Sequence, residues 1–363
     1  MRVVIAAGGT AGHVNPAIAL AQELDDVEIV FLGTAAGPER DLTSRWGLPF
    51  ETITVRGFDR ARPLSLFPTA LVALRAFVEA RRVLRRLRPT VVVGMGGYVS
   101  LPVCFAARAL RIPVVLHEQN IVLGLAHKVC RSFARHIAVS FEETLEQTDG
   151  RGVLVGNPVL PRLVESDPET ARRSGRERWN LAESRRTVLV FGGSQGARGI
   201  NQGAVELGGL WSEREDVQVL HICGVRDLAE YERRVPPTPS RLIYRLVGFV
   251  DDMAEAYGVA DIAVCRGGAT TVAELTVARL PSVIVPYPHH RDRQQERHGR
   301  VLERAGAARV VSDDEATGAR LAREIDDVLA SPQLLQEMAD AAAGLGRPDA
   351  ARRLADLVLE AAA

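Results

Sequence analysis

The stretch Val4-Ile5-Ala6-Ala7-Gly8-Gly9-Thr10-Ala11-Gly12 decides the fold, because it returns later as Leu189-Val190-Phe191-Gly192-Gly193-Ser194-Gln195-Gly196. Each copy is a short apolar run followed by two glycines, a hydroxyl residue, one further residue and a third glycine. An apolar run closed by glycines reads as a buried strand, and a glycine turn leading into a helical pattern is how a parallel α/β layer begins. Two such beginnings predict two domains of one kind.

Working outward, strand-like runs at Val3–Ala7, Val27–Leu32, Glu51–Val55, Val91–Val93, Pro113–Leu116 and His136–Val139 alternate with longer helical patterns. After the loop Gly156-Asn157-Pro158 the alternation restarts with Thr187–Phe191, Val217–Ile222, Leu242–Val247, Asp261–Val264 and Ser282–Val285. This is the pattern of parallel α/β domains. At 363 residues the chain exceeds the roughly 250–300 at which one core stops growing. The last helix, about Ala350–Leu359, follows Gly346-Arg347-Pro348 and by its pattern could pack on either domain.

Lys+Arg and Asp+Glu balance at 45 each, so no global basic field points to nucleic acid. The four cysteines, Cys104, Cys130, Cys223 and Cys265, form no CxxC pair and fit a reducing cytoplasm. No apolar run approaches the roughly 20 residues of a membrane span, and the start of the chain has no leader-like segment. The expectation is a protein neither secreted nor integral.

The glycine turns carry the chemistry. Backbone N–H groups at a helix N-terminus, with the helix dipole behind them, favour phosphate. Gly8-Gly9-Thr10-Ala11-Gly12 does not match G-x-G-x-x-G, and the second strand ends Phe31-Leu32-Gly33-Thr34 without an acid for a ribose, which argues against a dinucleotide oxidoreductase. A Walker-type P-loop is absent from the sequence. A third glycine turn, Cys265-Arg266-Gly267-Gly268-Ala269-Thr270-Thr271, leads to Glu274, whose carboxylate either accepts from two ribose hydroxyls or closes a capping box with Thr271. Beyond the strand at Ser282–Val285, the loop Pro286–Gln295 ends in Gln294-Gln295, able to bond sugar hydroxyls or simply be solvated.

Gly8–His13, Gly94-Met95-Gly96-Gly97-Tyr98-Val99-Ser100, His117-Glu118-Gln119-Asn120, Gly192–Arg198, Arg266–Glu274 and Asp292–Gln295 occur together and in order. That series resembles the MurG family of GT-B glycosyltransferases from end to end. The resemblance implies an α/β GT-B fold: two Rossmann-like parallel-sheet domains facing across a cleft. Residues 1–160 with a returning helix at 347–363 would form the acceptor and membrane-docking domain, and 161–346 the UDP-sugar-binding domain. It implies an inverting transfer of N-acetylglucosamine from UDP-N-acetylglucosamine to undecaprenyl-diphosphate-linked muramoyl-pentapeptide, in peptidoglycan synthesis at the cytoplasmic face of the cell membrane. No cofactor and no metal are called for.

On this resemblance, Ser194, Val250, Ala269, Thr270, Thr271, Glu274 and Gln295, with Gln294 beside them, match donor-site positions, and Thr10, Ala11, Gly12 and Asn120 match positions that reach the donor. His13 is the candidate base and Glu118 its catalytic companion, with Gly96, Gly97 and Tyr98 on the acceptor side. Leu64, Leu66, Phe67, Leu74 and Phe77, followed by Arg81, Arg82, Arg85, Arg86 and Arg88, would dock on an anionic leaflet.

The chain departs from the family pattern in places. Leu160 stands where a donor-site arginine is common, with Arg162 as the candidate substitute. His127 replaces an asparagine, Ala11 and Leu101 replace glycines, Gly267 replaces a serine, and the Tyr287–Arg293 loop is one residue longer. Such changes also fit a paralogue with a related acceptor or UDP-sugar, and a UDP-sugar 2-epimerase uses a similar two-domain scaffold.

Overall fold

The computed structural model describes residues 1–8, 11–35, 37, 39–55, 66–193, 196–235, 240–289 and 292–363, without the side chains of Ala11 and residues 66–71. The chain divides into two compact units, Met1–Leu160 with Arg347–Ala363, and Pro161–Gly346.

In the first unit, seven strands run parallel: β1 (Arg2–Ala6), β2 (Glu28–Gly33), β3 (Phe50–Thr52), β4 (Val91–Gly94), β5 (Val114–Glu118), β6 (His136–Val139) and β7 (Gly152–Leu154). Their order is β3-β2-β1-β4-β5-β6-β7. Helices α1 (Ala11–Gln22), α2 (Glu39–Arg45), α3 (Leu66–Leu87), α4 (Gly97–Ala109) and α5 (Leu125–Cys130) make the crossovers. Val3 and Ile5 face one layer and Val4 and Ala6 the other, so alternate residues of β1 enter two separate cores. That is why the run reads as uninterrupted apolar sequence: both faces are covered. The strand expected over Glu51–Val55 covers only Phe50–Thr52, and β7, three residues long at the sheet edge, carries too little apolar pattern to be read in advance.

The second unit repeats the plan. After α6 (Pro161–Val164) and α7 (Pro168–Trp179) come β8 (Arg186–Phe191), α8 (Arg198–Leu210), β9 (Val217–Ile222), α9 (Leu228–Tyr231), β10 (Ile243–Val247), α10 (Met253–Val259), β11 (Ile262–Cys265), α11 (Ala269–Val277), β12 (Ser282–Ile284), α12 (Gln294–Arg304), β13 (Ala308–Val310), α13 (Gly318–Leu329) and α14 (Pro332–Leu345). The sheet order is β10-β9-β8-β11-β12-β13, again all parallel.

Each order reverses at its first strand, between β1 and β4 and between β8 and β11. At such a switch point neighbouring crossovers diverge to opposite faces and leave a crevice at the carboxyl ends of the strands. The turns after β1 and β4, and those after β8 and β11, are the glycine turns picked out in the sequence.

The closing helix, α15 (Ala350–Ala362), belongs to the first unit. Leu354, Ala355, Val358 and Ala361 are buried beside Val3, Ile5 and Val93, and Arg352 pairs with Glu23 at 2.7 Å. Leu354 is fully buried, so Leu354→Ala is expected to cost about 2–4 kcal/mol; urea unfolding monitored by amide exchange in β1 should show the loss.

Candidate active site

The first switch point gathers an unusual density of polar side chains. Gly96 and Gly97 both have positive φ, 96° and 73°, a region that costs any other residue strain. Space excludes a side chain as well. A Cβ on Gly97 would collide with the Gly8 carbonyl oxygen, and one on Gly96 would lie 3.1 Å from Cε1 and Nδ1 of His13. The two glycines therefore let the β4 turn close onto the β1 turn and onto the His13 ring. Ser100 fixes the turn from inside α4: its Oγ accepts from Gly96 N–H at 3.0 Å and bonds the Gly96 and Ala6 carbonyls at 2.6 and 3.1 Å. Gly96, the residue capping α4, contributes no side-chain cap of its own.

His13 Nδ1 lies 3.2 Å from the Met95 carbonyl oxygen and 2.6 Å from the Gln119 side-chain amide. A backbone carbonyl can only accept, whereas an amide can turn to offer its oxygen, so the hydrogen belongs on Nδ1. That leaves Nε2 with a lone pair. Burial lowers the His13 pKa, with Glu118 opposing and His127 reinforcing the shift, so the ring is neutral near pH 7 and able to accept a proton.

Glu118, expected to share the catalytic work, is otherwise employed. Its Oε1 accepts from Asn120 N–H and Nδ2–H, both at 3.0 Å, and its Oε2 from Gly124 N–H and His127 Nδ1, both at 2.7 Å. Burial would raise its pKa, but His127 and the backbone donors of Gly124 and Asn120 outweigh that and hold it at about 2. A carboxylate so saturated positions its neighbours and does not shuttle protons at neutral pH. His117 is likewise buried, its Nε2 3.0 Å from the Gly156 carbonyl, and burial takes its pKa to about 4.

In the second unit, Gly268 caps α11 with no side-chain bond. Thr271 therefore sits inside the first turn, and the capping box with Glu274 does not form. Glu274 instead accepts from Tyr257 Oη at 2.8 Å, and Tyr257 packs edge-on to Phe191. Burial raises the Glu274 pKa to about 7, with the Tyr257 bond pulling the other way. Ala269 is buried at the start of the helix and Val250 beneath the start of α10. Gly267 is needed for space, because a Cβ there would strike the Gln295 carbonyl oxygen. The loop before α12 ends with Arg293 in the left-handed region, φ 47°, and Gln295 Oε1 accepts from Tyr287 N–H at 2.9 Å. Arg266 ties this region together, bonding the Val285 and Pro286 carbonyls at 3.1 and 3.0 Å and Asp313 at 2.5 Å. Asp313 is thus an ion-pair partner, and Ser312 is the cap of the short helix Asp313–Glu315. Asp252 does cap α10, accepting from Ala254 N–H at 3.0 Å, and the exposed Arg162 lies 3.8 Å from it.

Thr10 and Ser194, and the side chain of Ala11, lie outside the described residues; Gly12 lies in the first turn of α1. Among the described residues no group of three or more His, Cys, Asp or Glu could hold a metal ion. Gln119, Tyr257 and His127 were not expected in these roles. Gln119 could have been suspected from its place in His117-Glu118-Gln119-Asn120, but nothing local marks Tyr257, which meets Glu274 from a different helix, α10.

The model of the glycosyltransferase family 28 N-terminal domain matches residues 3–139, and that of its C-terminal domain residues 187–354. The chain belongs to glycosyltransferase family 28. It is 40% identical, over 99% of its own length and 93% of the relative's, to the UDP-N-acetylglucosamine--N-acetylmuramyl-(pentapeptide) pyrophosphoryl-undecaprenol N-acetylglucosamine transferase of Anaeromyxobacter dehalogenans (strain 2CP-C). The protein of that name from Halothermothrix orenii is 35% identical over 100% of this chain and 99% of the relative. The crystal structure of Acinetobacter baumannii MurG superposes with a TM-score of 0.79 at 29% identity, covering 99% of both chains. A UDP-GlcNAc 2-epimerase from Neisseria meningitidis, at 13% identity and a TM-score of 0.70, shares the fold alone.

The folded chain holds a proton on Glu274 more tightly than an unfolded chain with a carboxyl near 4.5. The stability from that proton is complete below pH 4.5 and is lost as pH rises through about 7. Glu274→Gln keeps an acceptor for Tyr257 and never ionises. It should match the parent near pH 4.5 and exceed it by roughly 1–3 kcal/mol at pH 8, read from denaturation midpoints at the two pH values.

Proposed function

We propose that the protein is an inverting N-acetylglucosaminyltransferase, moving the sugar from UDP-N-acetylglucosamine to the 4-hydroxyl of undecaprenyl-diphosphate-linked muramoyl-pentapeptide. The observation that carries the reading is the similarity, along nearly the whole chain, to the Anaeromyxobacter relative that bears this activity in its name. The epimerase alternative rests on shared fold alone and is not favoured.

The second unit supplies the donor half. The start of α11, capped by a residue with no side chain, suits the diphosphate, and Glu274 suits the ribose hydroxyls once ionised, with Ala269, Thr270, Thr271, Val250, Gln294, Gln295 and the unplaced Ser194 around the nucleotide and sugar. Arg162, anchored near Asp252, is the nearest cation in sequence to the position where Leu160 replaces the usual arginine. The first unit supplies the acceptor half. His13 Nε2 takes the proton of the attacking hydroxyl as that oxygen bonds the anomeric carbon and the bond to UDP breaks, which inverts the centre. Gly96, Gly97 and Tyr98 bring the start of α4 to the acceptor, whose own diphosphate is the anion suited to it. Thr10, Ala11, Gly12 and Asn120 are proposed to reach the donor; the Asn120 side-chain nitrogen is spent on Glu118.

Membrane contact is proposed through the first unit. No described helix is long and apolar enough to cross a bilayer. Of the expected docking residues, Leu74 is 58% exposed, whereas Phe77 is partly buried and packs against the core; Leu64 and the side chains of Leu66 and Phe67 lie outside the described residues. Val78 of α3, Phe105 of α4, and Leu125 and Val129 of α5 are also exposed, apolar surface that the sequence reading missed. The arginines of α3 suit anionic headgroups.

Incubation with labelled UDP-N-acetylglucosamine and the lipid-linked muramoyl-pentapeptide should give the β-1,4 disaccharide lipid; formation of an epimerised sugar, or tight UDP binding without product, would replace the reading. His13→Gln should lower kcat at least a hundredfold with donor binding retained by calorimetry. Replacing Leu74, Phe105, Leu125 and Val129 by serine should reduce sedimentation with anionic vesicles several-fold while circular dichroism stays unchanged.

A further inference from the structure

The second unit buries a row of polar side chains that the proposed chemistry does not use. It starts at Tyr244 on β10, the edge strand, crosses His221 on β9 and ends at Asn201 near the start of α8. His221 and Asn201 are fully buried. Tyr244 Oη lies 2.8 Å from His221 Nδ1, and His221 Nε2 lies 3.1 Å from Asn201 Oδ1. Asn201 Nδ2 then lies 2.8 Å from the Cys223 carbonyl oxygen and 3.3 Å from Asp227 Oδ2. That last link fixes the direction of the others. A carbonyl can only accept, so the amide nitrogen faces Cys223 and the amide oxygen faces the ring; Nε2 must carry the hydrogen, Nδ1 keeps the lone pair, and the tyrosine hydroxyl donates. Burial takes the His221 pKa to about 3, so the ring stays neutral near pH 7. Tyr231 and Tyr244 both meet it edge-on, with centroids 6.3 and 6.0 Å away.

The row ends at a glycine. Gly196 has φ 74°, and a Cβ on it would come within 2.6 Å of the Cys223 carbonyl oxygen, 2.9 Å of Asp227 Oδ2 and 3.7 Å of Asn201 Nδ2. These are the atoms that the Asn201 amide holds together. They form a shelf against which the second glycine turn lies flat, and the Gly196 N–H closes that turn on the Gly193 carbonyl at 3.0 Å. Asp227 heads α9 but gives that helix no side-chain cap bond; its carboxylate is turned to Asn201 instead. We infer that Tyr244 is a positioning residue for the donor: through His221 and Asn201 it sets the shelf, and with it the presentation of the second glycine turn to a nucleotide diphosphate. The inference rests on the donor half of the transferase reading. Without the hydroxyl, the buried Nδ1 lone pair has no donor, and any turn of the ring to find one takes Nε2 away from Asn201. The amide can then flip. Its oxygen would face the Cys223 carbonyl and the Asp227 carboxylate, and the shelf would part.

Two measurements on the full chain test this. In long-range proton–nitrogen correlation spectra of 15N-histidine-labelled protein near pH 7, the ring whose signals vanish in His221→Gln should be neutral with its hydrogen on Nε2. Tyr244→Phe should move the Nδ1 resonance of that ring toward the position of an unbonded lone pair. A hydrogen on Nδ1, or a resonance that ignores the substitution, overturns the row. The second measurement is UDP affinity by calorimetry, well below the melting temperature. Tyr244→Phe should weaken it roughly three- to fivefold and raise KM for UDP-N-acetylglucosamine by the same factor, with kcat kept within about twofold. Thr187→Val is the control, because it removes the 2.9 Å bond from Gln218 Nε2 to Thr187 Oγ1 at the amino end of β8, away from the turn. It should lower the melting temperature and leave affinity and KM unchanged. Parent-like affinity in Tyr244→Phe, or an equal loss in Thr187→Val, would make the row structural only and overturn the inference. A parent protein that binds no UDP would sink the transferase reading with it, whereas one that binds UDP and ignores Tyr244→Phe would sink this inference alone.

Discussion

The constraint on which the first switch point depends is one of backbone against backbone. Gly97 must come so near the Gly8 carbonyl that no side chain fits between them, and Gly96 must lie flat against two imidazole rings. Everything at the first switch point follows from that approach. It brings the end of β4 to the end of β1, aims α4 at the crevice, and presses the Met95 carbonyl on the His13 ring, which settles the tautomer. A bulkier turn would separate the strands' ends and release the ring. The second unit uses the same economy at Gly267, where the start of α12 closes onto the β11 turn.

The same residue type serves opposite ends in the two units. Glu118 is buried yet strongly acidic, because three N–H donors and a histidine ring surround it. Glu274 is half-buried, with the Tyr257 phenol bonded to it, and its proton is held near neutrality. The first carboxylate is finished: its bonds are made in the free protein and it serves as structure. The second is unfinished, and the fold bears a cost for each ionised copy until some other set of donors relieves it. A pair of ribose hydroxyls would do so, which makes donor binding and the ionisation of Glu274 linked events.

Much of this was legible in the sequence. The apolar runs at Val3–Ala7 and Thr187–Phe191, each closed by glycines, gave both sheets, since a strand covered on two faces has no polar alternation to confuse. The edge strands β7 and β13 escaped notice because three residues are too few to make a pattern. In the site, His13, Gly96, Gly97 and Asn120 were found in motifs. What the sequence hid were pairings between distant elements: Tyr257 with Glu274, Arg266 with Asp313, and His127 with Glu118. A capping box for Thr271 and Glu274 was a fair reading of spacing, but the cap of the helix is Gly268, three residues before Thr271, and a shift of that size removes the motif. Phe77 misled for a related reason, since which face of α3 meets the core depends on where α4 lies.

The helix Ala350–Ala362 follows the second unit in the chain yet fills a gap in the first. The first unit is therefore discontinuous, and the second is a single uninterrupted segment. Synthesis from the N-terminus makes the consequence one of timing. The second unit can reach its full set of contacts while the seven-stranded sheet still lacks the helix that covers Val3 and Ile5. Until α15 emerges, those side chains remain open to water and to other chains. The unit that starts first is thus completed after the second, and β1 is the part most in need of shelter during synthesis.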